Sequence, residues 1–346
     1  MTSRPNVLSI AAALFIATIV VLLLKYTAPF FIPLVLAVVI WFILITISEH
    51  YERISILGKH MPSGIALLLS MSTVVLIFIL FGDIVQNSVA EFMEALPLYQ
   101  EKLASALASL EQFPYLEKLQ LNTLWERIDL PTAAGTVFSG VNTLAGYTIT
   151  TLIYLLFILL EYRTFGAKLN YLFPDPQRRK NVSEIIERIN ADTMTYVRIQ
   201  TFISVLTAIC VYIILIMFGV QFAGFWALLT LVLNFIPTIG SIIASILPPL
   251  FALVQLESIP LVVLLAVIIS VVQFVLGNVL QPRMMGSSLN LSPLVIIISL
   301  SVWGMIWGIV GMFLCIPIMV IANIIFARFP QTNWIAVLLS ADGNIP

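Results

Sequence analysis

From Ile199 to Leu256 the sequence contains no Asp, Glu, Lys or Arg. A soluble domain cannot cover itself with such a stretch, because roughly 25% of its residues are normally charged. Between Leu256 and Arg328 only Glu257 and Arg283 carry charge. In lipid every backbone polar group must find a partner within the protein, which leaves helices or closed barrels. The apolar runs here are long enough for helices, since about 20 residues cross a hydrocarbon core of about 30 Å. The expected fold is therefore an all-α polytopic membrane protein. Composition agrees: 61% of residues are hydrophobic and 10% charged, with mean hydropathy +1.09. The net charge of -1 offers no basic surface for nucleic acid.

Eight runs qualify as spans: 7–24, 29–47, 64–82, 137–160, 200–218, 225–254, 261–281 and 292–327. The first could imitate a secretory signal, but it ends at Lys25 without a small-x-small site, so it is read as a retained helix. The chain divides into three initial transmembrane helices (1–82), a polar stretch (83–136) and a fourth helix (137–160). A basic stretch (161–199), a transport core (200–327) and a tail (328–346) follow. Residues 83–136 are mainly acidic, whereas 161–199 hold Arg163, Lys168, Arg178, Arg179, Lys180, Arg188 and Arg198. The positive-inside rule then places both termini, the 48–63 loop and the 161–199 stretch in the cytoplasm, and 83–136 outside. Apolar residues at helical spacing make 85–110 and 178–199 amphipathic helices that pack on the bundle or lie at the lipid interface.

The second half is both the most apolar and the most interrupted part. The run 225–254 contains Asn234-Phe-Ile-Pro237-Thr-Ile-Gly240-Ser and then Pro248-Pro249. Proline removes a backbone donor and clashes with the preceding turn, so a continuous helix is not expected. The run 292–327 holds Gly304, Gly308, Gly311 and Pro317 and should break as well. A faint echo relates Ile-Gly-x7-Pro at 239–248 to Val-Gly-x5-Pro at 310–317. Each run either crosses once with a kink or returns as a re-entrant hairpin, and the hairpin version keeps Arg283 on the cytoplasmic side. Both versions return the C-terminus to the cytoplasm.

No enzyme chemistry is legible. Cys210 and Cys315 sit in apolar runs, His50 and His60 lie far from any ligand cluster, and phosphate-loop, nucleophile-elbow and zincin motifs are missing. No cofactor or metal is expected. Irregular backbone at membrane depth marks a cavity, and paired broken segments point to a transporter's binding site. Asn234, beside the break, is either a substrate contact or an interhelical hydrogen bond of about 0.6 kcal/mol. Pro237 and Gly240 shape the break. Gln273 and Asn278 line a polar path or hold helices together, and Arg283 is a gate and substrate-orienting donor or an interfacial snorkeller. Gly304-x3-Gly308 suggests close helix approach. The tryptophans read as interfacial anchors or packing residues. No acid sits mid-span, and no span shows the polar stripe that an aqueous pore would want.

The segments Asn234-Phe-Ile-Pro-Thr-Ile-Gly-Ser, Gly277-Asn-Val-Leu-Gln-Pro-Arg283-Met-Met-Gly286, Leu289-Asn-Leu-Ser292, Trp303-Gly-x6-Gly311-Met-x4-Pro317 and Ile335-Ala-Val-Leu-Leu-Ser340 resemble the autoinducer-two exporter family. The layout of spans and loops is similar along essentially the whole chain. The resemblance implies export of small molecules, with the furanosyl quorum-sensing signal as namesake, and homo-oligomers that are pentameric in close relatives. Some relatives are described as sodium–proton antiporters. Many carry Glu where this chain has Gln281, and that departure weakens proton or cation coupling here. The expected function is a bacterial inner-membrane exporter of small polar or amphiphilic molecules, with autoinducer-2 as a candidate, working by alternating access at the broken helices. A monovalent-cation/proton antiporter and an oligomeric passive channel or scaffold are the alternatives. Its partners are a small-molecule substrate, membrane lipids and further copies of itself.

Overall fold

The computed structural model describes residues 7–56, 59–110, 135, 139–140, 142–256, 258–286 and 290–343. Described elements are almost entirely helical: α1 (Val7–Tyr26), α2 (Ala28–Glu52), α3 (Ser63–Leu110), α4 (Thr148–Leu172) and α5 (Pro176–Met217). Then come α6 (Ala223–Leu233), α7 (Ile239–Gln255), α8 (Ile259–Phe274), a π-helical segment (Val275–Leu280), α9 (Gln281–Met285), α10 (Pro293–Arg328) and α11 (Asn333–Leu339). A two-residue β pair, Ser55–Ile56 with Lys59–His60, ties the loop after α2.

Among the described residues five helices are long and apolar enough, by length and composition, to cross a membrane, one of them the Pro293–Arg328 helix that is broken at Gly308. The count reaches six when α4, bent by 63° between Tyr162 and Thr164, is taken as one span. The described residues of the expected eight runs lie mostly on helices, and five to six of the described helices, rather than eight, meet the length and composition of a span. The 48 residues of α3 measure about 70 Å, so the helix continues well past any hydrocarbon core. Residues 111–134 of the acidic stretch lie outside the described residues, as do Glu257 and Leu289. At the start of α5, Asp175 accepts a hydrogen bond from the Gln177 backbone N–H and Pro176 occupies the first turn, so Asp-Pro starts the helix cleanly. The basic amphipathic stretch 178–199 and the fifth span are therefore one continuous helix.

Helix α2 sits at the centre. One side packs Ala37 and Leu44 against Val74 of α3 and Leu155 of α4. The other packs Ile32, Leu36, Val39 and Phe42 into a larger core with α5, α6 and the second arm of α10. At the basic end of the bundle, Arg198 of α5 donates to Glu49 at 2.6 Å and to the Thr46 hydroxyl at 2.9 Å, locking α5 to α2. Large apolar side chains such as Leu68, Phe157 and Val267 remain exposed, as expected for surfaces that face lipid.

Both long runs of the second half are hairpins. Helices α6 and α7 fold back on each other, so that Phe251 meets Phe222 and Trp226 with ring centroids 5.8 and 5.3 Å apart. Gln255 closes the base: its Nε2 donates to Gly219 O and its Oε1 accepts from Gln221 N, both at 2.8 Å. The turn is so tight that a Cβ on Gly240 would lie 1.7 Å from Leu233 O. Seven residues apart in a straight helix, those backbones would be about 10 Å distant. In α10 the reversal is at Gly308, with φ 63° and ψ -143°, a conformation essentially reserved for glycine. There a Cβ on Gly311 would lie 2.0 Å from Trp303 O. The echo between 239–248 and 310–317 is therefore physical. Gly240 and Gly311 each let a returning arm press against a backbone carbonyl of the outgoing arm, Leu233 O and Trp303 O.

The close approach expected at Gly304-x3-Gly308 occurs within the chain: Gly308 is the turn itself and Gly304 faces Met312 across the hairpin. Arm bases are joined on the other side too, because Ser292 N donates to Leu339 O and α11 packs along α10.

Candidate functional site: a cavity beneath the first hairpin turn

The turn of the first hairpin, Asn234 to Thr238, roofs a cavity of about 1190 Å³. Ile239 N donates to Pro237 O at 2.6 Å across Thr238, whose φ of 59° and ψ of -59° define a γ-turn of the rare, strained hand. Pro237 fixes the residue before it in the turn, and Gly240 removes the Cβ that would prevent closure. Both residues lie at the break itself. Pro237 also lines the cavity; Gly240 is buried behind it.

Amides hold the turn. Gln200 of α5 donates to Asn234 O at 2.8 Å, satisfying a carbonyl that the broken helix leaves over. Gln273 of α8 donates to the Asn234 side-chain oxygen at 2.5 Å. Gln281 of α9 donates to Gln200 Oε1 at 2.8 Å. Four amide side chains from four elements are thus linked by three bonds, two from side chain to side chain and one to the turn backbone. A network of this kind fixes geometry to the extent that its members are paired, and here Gln273 Oε1 has no partner among the described residues. The π-helical segment 275–280 widens the helix after Gln273, and Gly277, Asn278, Gln281 and Met285 follow along the cavity wall. Such π insertions are frequent at functional sites.

The floor of the cavity is one face of α5. Arg188, Asp192, Tyr196, Gln200, Ile203 and Thr207 line it at helical spacing over roughly 28 Å. A polar stripe along a span is therefore present, contrary to the sequence reading. It was hidden because it straddles the boundary drawn at 199, with half its members assigned to a loop. Asn323 of the second arm of α10 completes the wall. Charge is confined to the mouth, where Arg188 Nε lies 3.7 Å from Asp192 Oδ2 and Asp342 stands near Asn290. Burial raises the Asp192 carboxyl above its ordinary pKa, and Arg188 partly opposes that shift.

Of the residues singled out from sequence, Asn234, Pro237, Gln273 and Asn278 meet at this cavity. Arg283 does not line it. Its neighbours Gln281 and Pro282 do, while Arg283 itself is exposed on the outer side of α9. Gln200, Tyr196, Thr207 and Asn323 were missed, because isolated polar residues in apolar helices carry no motif. Among the described residues no cluster of His, Cys, Asp or Glu has the arrangement of a metal site.

A bundle of apolar spans with two helical hairpins and a polar cavity against a broken helix is the architecture of a membrane transporter. The sequence matches the AI-2E family transporter profile over residues 9–331, and the chain belongs to that family. It is similar to the AI-2 transport protein TqsA of Escherichia coli K12, 29% identical over 343 residues covering 97% of this chain and 96% of that one. It is also similar to YhhT of the same organism, 26% identical over 345 residues (98% and 96% of the two chains). A transport-protein candidate of Haemophilus influenzae is 28% identical over 345 residues (96% and 95%).

Proposed function

We propose that this chain exports a small polar molecule across the bacterial inner membrane by alternating exposure of the cavity beneath Asn234–Thr238. The observation that carries the reading is the cavity itself: broken backbone at its roof, an ordered amide network around that break, and charge only at its mouth. Its open end lies beside Arg188, in the basic part of α5, so the positive-inside rule puts the mouth in the cytoplasm together with both termini. Away from the cavity, the base of the hairpin is held by the Gln255 clasp and the Phe222–Phe251–Trp226 rings. An exporter in this state is poised to load from the cytoplasm, and release requires the hairpin to shift so that the roof opens outward. The name of the relative TqsA makes the autoinducer-2 signal the first substrate to test. Assembly as a homo-oligomer, pentameric by family resemblance, belongs to the same proposal.

The test is flux of labelled autoinducer-2 from proteoliposomes containing wild type or Asn234→Ala. Saturable wild-type flux, lost in the variant with folding intact, supports export through this cavity. Flux equal to that of empty vesicles removes this substrate. Sodium- and proton-gradient assays on the same vesicles then decide the antiporter reading, which the placement of Asp192 and Asp342 at the mouth disfavours.

A further inference from the structure

A second cavity, of about 450 Å³, lies between the last two turns of α2 and the middle of α5 and shares no lining residue with the one beneath the hairpin. Its walls are pinned from two sides. Arg198 of α5 is held by Glu49 and Thr46, yet its side chain stays 37% exposed. The Tyr51 hydroxyl shares a hydrogen bond of 3.0 Å with that of Thr73 on α3. His50 and Arg53 complete the lining. Both are exposed, and neither side chain makes a hydrogen bond or ion pair among the described residues. A pocket with fixed walls and unspent donors binds without first having to order itself.

Depth and surroundings say what kind of molecule meets it. Glu49 lies 21 residues beyond Ala28, or about 32 Å along α2, which is where a hydrocarbon core of about 30 Å gives way to headgroups. This is the end of the bundle that the positive-inside rule puts in the cytoplasm. From Arg198 the same face of α5 continues into the bilayer through Phe202, Val205 and Ile209, at steps of four, three and four residues. These three side chains are all exposed. A polar pocket at headgroup level thus opens onto an apolar stripe of the length of an acyl chain. Arg198 and Arg53 against Glu49 leave a net positive charge, with His50 uncounted.

We propose that this cavity binds the phosphodiester headgroup of an anionic phospholipid of the cytoplasmic leaflet, with Arg53 and Arg198 facing the phosphate and an acyl chain lying along Phe202, Val205 and Ile209. Basic pockets between membrane helices on this side are suited to such headgroups. The proposal does not depend on the transport reading. Glu49 does not oppose it, because its carboxylate is already engaged by Arg198. A bound lipid would bridge α2 and α5 beside the ion pair that joins them.

The experiment titrates the full chain, stripped of lipid in a neutral detergent, with phosphatidylglycerol, phosphatidylethanolamine or glycerol 3-phosphate. Occupancy is read by native mass spectrometry and thermal midpoint by tryptophan fluorescence. Wild type is compared with Arg53→Gln and with Arg178→Gln. Arg178 lies outside the pocket with its side chain 83% exposed, so its loss removes the same charge elsewhere on the basic surface. We expect saturable phosphatidylglycerol binding that raises the midpoint, with phosphatidylethanolamine and glycerol 3-phosphate each at least about 5-fold weaker. Arg53→Gln should weaken phosphatidylglycerol about 5-fold or more, as for one guanidinium facing an anionic surface. Arg178→Gln should change it less than twofold, and the unliganded midpoint should be the same in all three proteins.

Equal weakening by the two variants assigns the effect to diffuse surface charge and overturns the site, as does phosphatidylglycerol binding that Arg53→Gln leaves intact. Glycerol 3-phosphate bound as tightly as the lipid makes the ligand a soluble phosphate and overturns the lipid. Phosphatidylethanolamine bound as tightly as phosphatidylglycerol overturns the charge selectivity. A lower unliganded midpoint in Arg53→Gln shows a structural role for Arg53 and overturns its assignment to the headgroup.

Discussion

Phe235 stacks on Phe313, ring centroids 4.6 Å apart and planes 25° from parallel, and so joins the turn of the first hairpin to the returning arm of the second. Lipid is as apolar as a phenyl ring, so the contact is held by dispersion and ring geometry rather than by escape from water. Such a pair contributes about 0.5–1.5 kcal/mol beyond area burial. A double-mutant cycle with Phe235→Leu and Phe313→Leu, followed by denaturant unfolding in mixed micelles, should return a coupling energy in that range. Additive single changes would show that the hairpins do not depend on each other here.

Gly240→Ala should be among the most damaging small changes in the chain. Its Cβ would stand 1.7 Å from Leu233 O, a backbone atom that cannot swing aside. The hairpin must open, breaking the amide bonds to Asn234. We expect loss of folded protein by size-exclusion profile and a destabilisation of about 2–4 kcal/mol, as for other strained-backbone substitutions. Gly64→Ala is the control: nothing lies within 4 Å of its Cβ, and it should be neutral or stabilising by about 0.5–1 kcal/mol.

Gln281→Glu should convert a settled network into a pH-dependent one. Gln281 donates to Gln200, and an ionised carboxylate cannot donate. Turning Gln200 around restores that contact only by aiming its oxygen at Asn234 O. The protonated acid can donate, so the introduced carboxyl takes a raised pKa in the folded state. Its native form then binds more protons than the unfolded chain, and stability falls as pH rises above the ordinary carboxylate range. Thermal midpoints between pH 4 and 8 should decline for the variant and show no such step at this site in wild type. A flat difference across that range would refute the donor role.

Asp192 carries a milder version of the same linkage. Burial raises its pKa above 3.8, so the folded state holds the proton more tightly than the unfolded one. The sign is then fixed: stability is lost as pH climbs from 3.8 to the raised value and is constant above it. Asp192→Asn should remove that slope while leaving the amide network intact. Midpoints recorded with and without the substitution over the acidic range check it, and an unchanged slope would assign the linkage to another group.

How much of this was legible in the sequence depends on what kind of signal each residue carries. The break at 234–240 was visible because Asn, Pro and Gly each disturb helix backbone for a separate reason, and they occur together. The break in 292–327 was visible as a fact but not as a position, since Gly304, Gly308 and Gly311 are equal candidates until the backbone shows which one has positive φ. Gln200 was not visible at all. Its role depends on facing Asn234 across the bundle, 34 residues away in the chain, and no local period encodes that contact. Tyr196 and Thr207 were split between a loop and a span by a boundary that α5 does not observe. Arg283 stood out because a lone charge in an apolar region draws the eye, yet its side chain lies outside the cavity.

The two hairpins also bear on how the sides of the membrane are counted. A hairpin that ends where it began adds nothing to the parity of crossings, whereas a hydropathy count scores each long run as one. Counting 225–254 and 292–327 as single crossings introduces two errors of parity. The second cancels the first, so both counts return the C-terminus to the side of the N-terminus. The mistake survives only in between, where α8, the π-helical segment and α9 run through the membrane in the reverse direction. A label between Gly286 and Asn290 therefore reads out the hairpins directly, and a label on the tail cannot.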